Sequence, residues 1–529
     1  MKNFIGKKYY LPLMSAILLA ASIIPYHLLI TNFIFLIPLL FFIRSASSWK
    51  DALRGGIWFA IPAYIMILYW MYALLFISFY AFVLFSAMVI CFSIFGILSV
   101  LFIYLFYRKG RIPLLVLTPL VWVVCEDLMT YGPSRTTGVH VSNSMAVFPQ
   151  FIQFIDISGP HGITVWLILV NVLIFEAIVS FRKKGRMAIF GAAALITACA
   201  PALYSLQIWK GAGATSDLKI SMVQPNIPLE KKLNPEYAPE NMTTMLNITK
   251  EAVKQKPDLL IWPETAFPFP VQHWIDKAEK PSIPEISALA QYSSTPILIG
   301  AEYVRIKKKE DYDVYNAALL MDSHGNVPDY YGKIYLVPFT EGIPFKNIFG
   351  IKKLARKGIL AKFGGFTPGE KSTVFEIEKR KSRSEQPLSG SEGQNKVRFG
   401  VVICYEGLYP ELSRKLMRGG ADFLVCITND SWFGDTLFTI WHASSLRLRA
   451  IENRASIVRC ANTGISSFYD PAGRMYQSTE PFTKAIVSGF ISMRSGQTLY
   501  TKYGDLLVYI SYAFFLAFAL FCAFKPKKK

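Results

Sequence analysis

Gly400-Val401-Val402-Ile403-Cys404-Tyr405-Glu406 is an apolar, β-branched run that stops abruptly at a thiol followed by polar residues. Such a run reads as a buried strand carrying Cys404 at its C-terminal end. Two earlier segments have the same design. Asp258-Leu259-Leu260-Ile261-Trp262-Pro263 leads to Glu264, and Lys333 stands ahead of Leu336-Val337-Pro338-Phe339. A carboxylate, an ammonium and a thiol, each in such a setting, point to one constructed site.

Working outward, strand-like runs recur at Leu218–Val223, Asp258–Trp262, Pro296–Ala301, Val314–Met321, Thr373–Ile377, Val397–Cys404 and Asp422–Thr428. Between them, Met242, Met245, Leu246, Thr249, Ala252 and Val253 make one apolar face at helical spacing, and Ser444–Asn453 reads as another helix with Arg447, Arg449 and Glu452 available for ion pairs. Strands alternating with helices predict one α/β layered domain over 217–495. The Lys/Arg/Ser/Gly-rich stretch Glu378–Lys396 reads as a mobile hairpin loop between two strands.

The rest of the chain is of another kind. With 53% hydrophobic and only 17% charged residues, the 529-residue chain is too apolar for an ordinary soluble protein. Runs of about 17–25 apolar residues can cross the ~30 Å hydrocarbon core as helices. Seven are predicted before residue 210, at about 10–26, 28–44, 56–76, 78–106, 112–130, 162–181 and 187–207, and an eighth at about 506–524. The expected organisation is a membrane domain over 1–210, the α/β domain over 217–495 and a last span at 506–524.

Charge orients these spans, because cytoplasmic loops retain Lys and Arg. Lys2, Lys7 and Lys8 precede the first span. Arg44, Lys50 and Arg54 follow the second, Arg108, Lys109 and Arg111 the fourth, and Arg182, Lys183, Lys184 and Arg186 the sixth, while Lys525, Lys527, Lys528 and Lys529 come last. All fall on one side of an eight-span arrangement, so the α/β domain is expected outside the cytoplasm. The basic start, apolar core and Ala20-Ala21-Ser22 also fit a cleaved signal peptide. The later loops give the same orientation either way. Most of the +20 net charge is thereby explained by topology, which removes the case for a nucleic-acid partner.

Seven cysteines form no disulfide pattern: Cys91, Cys125, Cys199 and Cys522 lie in apolar spans, and Cys404, Cys426 and Cys460 are an odd number without CxxC spacing. The six histidines are scattered, and no metal-ligand spacing or cofactor motif is present. The chemistry therefore falls to side chains. A thiol attacks a carbonyl as thiolate, so it needs a base for its proton and a cation for the anions that form. Glu264 can serve as the base. Lys333, with a backbone N–H near Tyr405, can stabilise the oxyanion. Glu341 can orient the lysine or help the base. Each residue alone has a bland reading, namely core packing for Cys404, a surface charge for Lys333 and a turn for Glu264; three matching contexts together are far more specific.

The motifs Ile261-Trp262-Pro263-Glu264, Lys333-Ile334-Tyr335-Leu336-Val337-Pro338-Phe339-Thr340-Glu341 and Ile403-Cys404-Tyr405-Glu406 resemble those of the nitrilase (carbon–nitrogen hydrolase) superfamily. So do Val223-Gln224-Pro225-Asn226-Ile227, Thr428-Asn429-Asp430-Ser431-Trp432-Phe433-Gly434 and Arg459-Cys460-Ala461-Asn462-Thr463-Gly464-Ile465-Ser466. With seven spans before, one after, and Gln497–Asp505 ahead of the last, the whole chain is similar to the apolipoprotein N-acyltransferase branch. That resemblance implies an αββα sandwich outside the membrane, with Glu264 as general base, Lys333 as stabilising cation, Cys404 as nucleophile, and Glu341, Tyr405 and Glu406 in support. It implies no metal and no cofactor. The acyl donor would be a phospholipid, commonly phosphatidylethanolamine; the acceptor would be the N-terminal amine of a diacylated apolipoprotein, in a bacterial inner membrane with the domain periplasmic. The chain departs from the family pattern at Tyr335 (usually His), at Thr340 (usually Gly) and at Cys125-Glu126-Asp127-Leu128-Met129, where Trp-Glu-x-x-Arg is common. Competing readings are a membrane-tethered amidase that uses water and an inactive lipid-binding or transport scaffold.

Overall fold

The computed structural model describes residues 8–23, 28–72, 79–132, 135–211, 218–274, 283–308, 311–338, 340–342, 365–380, 396–494 and 496–524. The chain divides into two compact units: Met1–Gly211 with Thr436–Ser444 and Lys502–Lys529, and Ala212–Asp435 with Ser445–Thr501.

The first unit is helical. Its apolar helices are α1 (Tyr10–Ile23), α2 (Ile37–Ser45), α3 (Trp49–Ile67), α4 (Phe79–Leu105), α5 (Leu114–Leu128), α6 (His161–Val179), α7 (Lys184–Gly211) and, near the end of the chain, α12 (Leu506–Phe524). Four segments among the described residues are long and apolar enough to cross a membrane: Phe85–Gly110, His161–Val179, Lys184–Lys210 and Leu506–Phe524. Two predicted boundaries shift for local reasons. The third helix starts at Trp49, seven residues before the expected 56, because Ser48 caps it by accepting from the Asp51 N–H at 3.2 Å. The segment predicted as the second span begins as a short 3-10 turn, Leu29–Phe33, before α2. The break is satisfied from α6: Asn171 accepts from the Leu36 N–H at 2.9 Å and donates to the Asn32 carbonyl at 2.9 Å. A buried asparagine is thus used to close backbone groups that no water could reach.

The second unit is a β-sandwich between helices. One sheet contains β1 (Leu218–Gln224), β2 (Leu259–Ile261), β3 (Phe267–Trp274), β4 (Ile297–Lys308), β5 (Asp311–Met321), β6 (Asp329–Gly332) and β13 (Ala485–Ile491). Its order is β13-β1-β2-β4-β5-β6, with β3 also on β4. The other contains β7 (Val374–Glu378), β8 (Lys396–Ile403), β9 (Phe423–Thr428), β10 (Ile457–Ala461), β11 (Ser467–Tyr469) and β12 (Met475–Tyr476), in the order β12-β11-β10-β9-β8-β7. Period-2 alternation divides the core. Ile220, Met222, Leu259, Ile261 and Leu298 meet Val401, Ile403, Val425, Ile427 and Val458 between the sheets. Val223, Leu260, Trp262, Ile297 and Ile299 face the opposite way, onto α8 (Ala238–Val253) and α9 (Pro284–Ser293). The second sheet carries α10 (Pro410–Arg418), whose Leu412, Leu416 and Met417 are buried, and α11 (Phe438–Asn453). This is the expected nitrilase-like αββα layering.

Helix α11 starts six residues before the predicted Ser444, and of its expected ion-pairing groups Arg449 joins Glu452 at 2.7 Å, both buried. Strands β7 and β8 pair antiparallel through Glu378↔Lys396, so the predicted hairpin stem is present. Its tip, and Phe339 of the lysine motif, lie outside the described residues.

Candidate active site

The site is assembled where several strands of both sheets end. Strand β2 stops at Ile261 and the chain leaves the sheet through Trp262-Pro263-Glu264, returning as β3 beside the same neighbour, β4. Trp262 anchors the excursion: it is fully buried and its indole donates to Thr249 at 3.0 Å. Gly300 of β4 lies against it, and a Cβ there would be 2.1 Å from the Pro263 carbonyl oxygen. Glu264 is thereby held on a rigid bulge, 5% exposed.

Lys333 follows β6 and is 1% exposed. Its ammonium donates to Glu264 Oε1 at 3.2 Å and to Glu341 Oε1 at 2.8 Å. Asn316 of β5 bridges the same two oxygens, with Nδ2 at 2.8 and 2.9 Å. The outer oxygens are also used: Glu264 Oε2 accepts from the Asn429 N–H at 2.8 Å and Glu341 Oε2 from the Val337 N–H at 2.9 Å. Burial works against the Lys333 charge, but Glu264, Glu341 and Cys404 outweigh it and hold its pKa well above the usual lysine range. Lys333 is therefore a fixed ammonium.

Cys404 ends β8 and opens a 3-10 turn, Cys404–Leu408. Its φ of 53° is in the left-handed region, which costs a non-glycine residue energy and persists only where the surroundings impose it. Glu406 supplies that constraint. Fully buried, its Oε2 accepts from the Ile403 N–H at 2.8 Å. Its Oε1 accepts from the N–H groups of Ile334 (2.7 Å) and Tyr335 (3.0 Å) and from the Tyr331 hydroxyl (2.8 Å). One carboxylate thus ties the cysteine turn to the lysine loop. Burial and the Glu264 charge push the Cys404 thiol well above the ordinary cysteine range, although Lys333 pulls it down. The resting sulfur is a thiol.

The bonding leaves defined vacancies. An ionised carboxylate has about four acceptor positions and an ammonium three donors. Among the described residues, three donors occupy Glu264 and two acceptors occupy Lys333. One acceptor position on Glu264 and one N–H of Lys333 have no partner among the described residues. The other two cysteines of this unit are set apart by position. Cys426 and Cys460 are core residues, and burial raises Cys426 to about 12. Cys404 alone of the three is partly exposed.

Glu264, Lys333 and Glu341 are thus brought into direct contact, with Cys404 in their field. Glu406 is structural in its contacts. Tyr405 packs edge-on against Tyr409, ring centroids 5.3 Å apart, and Trp432 is half-buried in the turn after β9. Sequence reading missed Asn316, whose signal was an amide at 2% exposure within the apolar run of β5. It also missed Lys232, which donates to the Glu264 carbonyl at 2.8 Å and which burial lowers to about 8. A fully buried Arg459–Asp430 pair, at 2.6 Å, underpins the Asn429 turn.

The family described as carbon-nitrogen hydrolase matches residues 219–499, and the apolipoprotein N-acyltransferase N-terminal domain matches 15–173. The apolipoprotein N-acyltransferase of Chlorobaculum tepidum is 28% identical over 96% of this chain and 95% of its own length. That of Geobacter metallireducens is 30% identical over 78% of this chain and 77% of its own. Among solved structures, Saccharomyces cerevisiae Nit3, of the nitrilase superfamily, aligns over 53% of this chain and 91% of its own at 20% identity, with a TM-score of 0.36.

Proposed function

The chain belongs to the apolipoprotein N-acyltransferase family and acylates lipoproteins at nitrogen, and from that premise we propose how its residues do so. Cys404 is the nucleophile. As its sulfur attacks the ester carbonyl of a phospholipid, the thiol proton passes to the open position on Glu264, and the carbonyl oxygen becomes an oxyanion beside the remaining Lys333 N–H. Collapse expels the glycerol alkoxide, which takes the proton from Glu264 and leaves as lysophospholipid. The thioester keeps the acyl group reactive. The N-terminal amine of a diacylglyceryl-cysteine lipoprotein then attacks it, Glu264 takes the amine's proton, and sulfur leaves to recover its own from Glu264. Two bulky lipids thus use one site in turn. Phosphatidylethanolamine is the proposed donor.

Both substrates are held in a bilayer, so the site has to be as well. We place α1, the 29–45 segment, α3, α4, α5, α6, α7 and α12 as the eight spans of the bacterial inner membrane, with the sandwich on the periplasmic side. The basic clusters at 44–54, 108–111 and 182–186 support that orientation.

The observation that carries the mechanism is Lys333 clamped at 3.2 and 2.8 Å between Glu264 and Glu341, in the field of a cysteine held at positive φ. The test supplies purified protein with a phospholipid labelled in its acyl chain. A hydroxylamine-sensitive label is expected on wild type and absent from Cys404→Ser, and a diacylated lipopeptide should discharge it onto its N-terminal amine. Label recovered only as free fatty acid would replace transfer with hydrolysis.

A further inference from the structure

The helical unit contains a buried polar cluster that acyl transfer does not use. Glu126 near the end of α5, His140 before the Val141–Met145 turn and His161 at the start of α6 each offer one ligand atom, and these atoms all lie within 4.8 Å of one another. The three residues are 4, 4 and 5% exposed. No short sequence motif links them, because three separate elements supply one ligand each.

Two features distinguish this cluster from a chance grouping. First, His161 is oriented from behind. Its Nδ1 is bonded to Asp505, the residue immediately before α12, while its other nitrogen, Nε2, is buried with no hydrogen-bond partner. A carboxylate on one ring nitrogen and an open position on the other is the arrangement that fixes a metal-binding imidazole. The open nitrogen is uncompensated in either protonation state, since a lone pair there lacks a donor and an N–H lacks an acceptor. Second, Glu126 is pre-positioned. Oε1 accepts from the Val141 N–H at 2.7 Å and the Trp122 indole at 3.2 Å, and Oε2 from the Thr164 hydroxyl at 2.8 Å. Three of its four acceptor positions are filled, leaving one on Oε2.

We infer that Glu126, His140 and His161 form a binding site for a divalent transition-metal ion of the zinc class. Two imidazoles and a carboxylate suit that class, with a water completing four-coordination. Bonds of about 2.0–2.2 Å place tetrahedral donors roughly 3.4 Å apart, so the side chains close by about an ångström on binding. The ion would fasten α5, the 138–145 segment and α6 together, and through Asp505 it would engage the start of α12. Asp127, the neighbour of Glu126, already accepts from Tyr512 of α12 at 2.9 Å. The site is therefore a staple within the helical unit, separate from the acyl-transfer chemistry.

The test uses full-length protein in detergent, in a Cys404→Ala background so that the reactive thiol cannot contribute. After treatment with a chelator, zinc is titrated against a chromophoric competitor while thermal unfolding is followed. One equivalent per chain should bind and raise Tm. His140→Ala, which leaves the His161–Asp505 pair in place, should abolish both effects. Asp505→Asn should weaken zinc binding by about 10–100-fold, as loss of an orienting partner does. Cobalt(II) should give a tetrahedral spectrum without thiolate charge transfer. Absence of stoichiometric binding, or binding and Tm shifts that persist unchanged in His140→Ala, would overturn the site and leave an ion-pair network in its place.

Discussion

The Glu264 charge raises the Cys404 thiol. After burial, it is the largest influence holding Cys404 protonated, so a preformed thiolate is not the resting state. Base removal should therefore have opposite effects on two measurements. Glu264→Gln should lower acyl transfer by about 10²–10⁴-fold, the usual worth of a positioned general base. The same change should speed iodoacetamide alkylation of Cys404 at neutral pH, because more of the sulfur is ionised. Slower alkylation together with lost turnover would mean that the substitution had disordered the turn. Glu406 gives a pH signature of its own. Burial raises it to about 7 from an ordinary 4.5, against the opposing hydrogen bonds from Tyr335 and Ile403 and the Lys333 charge. The folded state thus binds more protons than the unfolded chain between these values, and this contribution to stability is present below about 4.5 and lost as pH rises through about 7. Glu406→Gln should be less stable than wild type, since its amide nitrogen would confront the Ile403 N–H. The difference should narrow from pH 5 to pH 7.5 as wild type loses its proton. Thermal unfolding at the two pH values checks this; a difference that widens with pH would contradict it.

At the scale of elements, what was legible depended on whether a segment's neighbours agreed with its own pattern. Strands β2 and β9 read correctly because each is buried throughout and almost wholly apolar, and β8 because its second half, Phe399–Ile403, is buried in the same way. Strand β3 did not, since Pro268 and Pro270 argue against a strand; it is accommodated by pairing with β4 alone, where the missing N–H groups face no second partner. Strands β11 and β12 are three and two residues long, too short to show any period. Glu264 and Cys404 stood out as candidates because each follows or ends a strand-like run, and Lys333 because it stands ahead of an apolar one. Asn316 and Lys232 did not, because their importance lies in which side chains the fold places beside them. The β2–β3 excursion is itself testable. Gly300→Ala would bring a methyl within 2.1 Å of the Pro263 oxygen and 2.8 Å of the Glu264 Cα, so the bulge must move. Overpacking of this kind costs about 1–3 kcal/mol. Activity should fall much further than stability, because Glu264 is displaced from Lys333. A variant with lowered Tm and normal turnover would show that the bulge does not set the base.

For the whole molecule, composition and charge were more informative than local pattern. Candidate spans were readable because a bilayer demands long apolar helices, yet among the described residues four segments meet that demand by length and apolarity alone. Helix α3 carries Lys50, Asp51 and Arg54 in its first two turns, and α1, α2 and α5 are short. Polar helix starts and internal breaks such as Leu29–Phe33 dilute the signal without preventing a helix from forming. The Glu126–His140–His161 cluster was invisible for the complementary reason, that its residues are 14 and 21 positions apart and meet only after folding. Orientation remains the claim on which access to lipid substrates depends, and it can be tested without activity. Single cysteines are introduced at two exposed positions, Tyr292→Cys in the sandwich and Gly185→Cys in the basic first turn of α7, in a background carrying Cys199→Ser and Cys404→Ala. A membrane-impermeant maleimide should label the cysteine at 292 in intact spheroplasts. The cysteine at 185 should react only after permeabilisation, because the four basic residues at 182–186 hold that loop in the cytoplasm. The reverse pattern would put Cys404 on the cytoplasmic side and sink the proposed route from outer-leaflet phospholipid to lipoprotein. Labelling of both sites in intact spheroplasts would instead remove an odd number of spans between them.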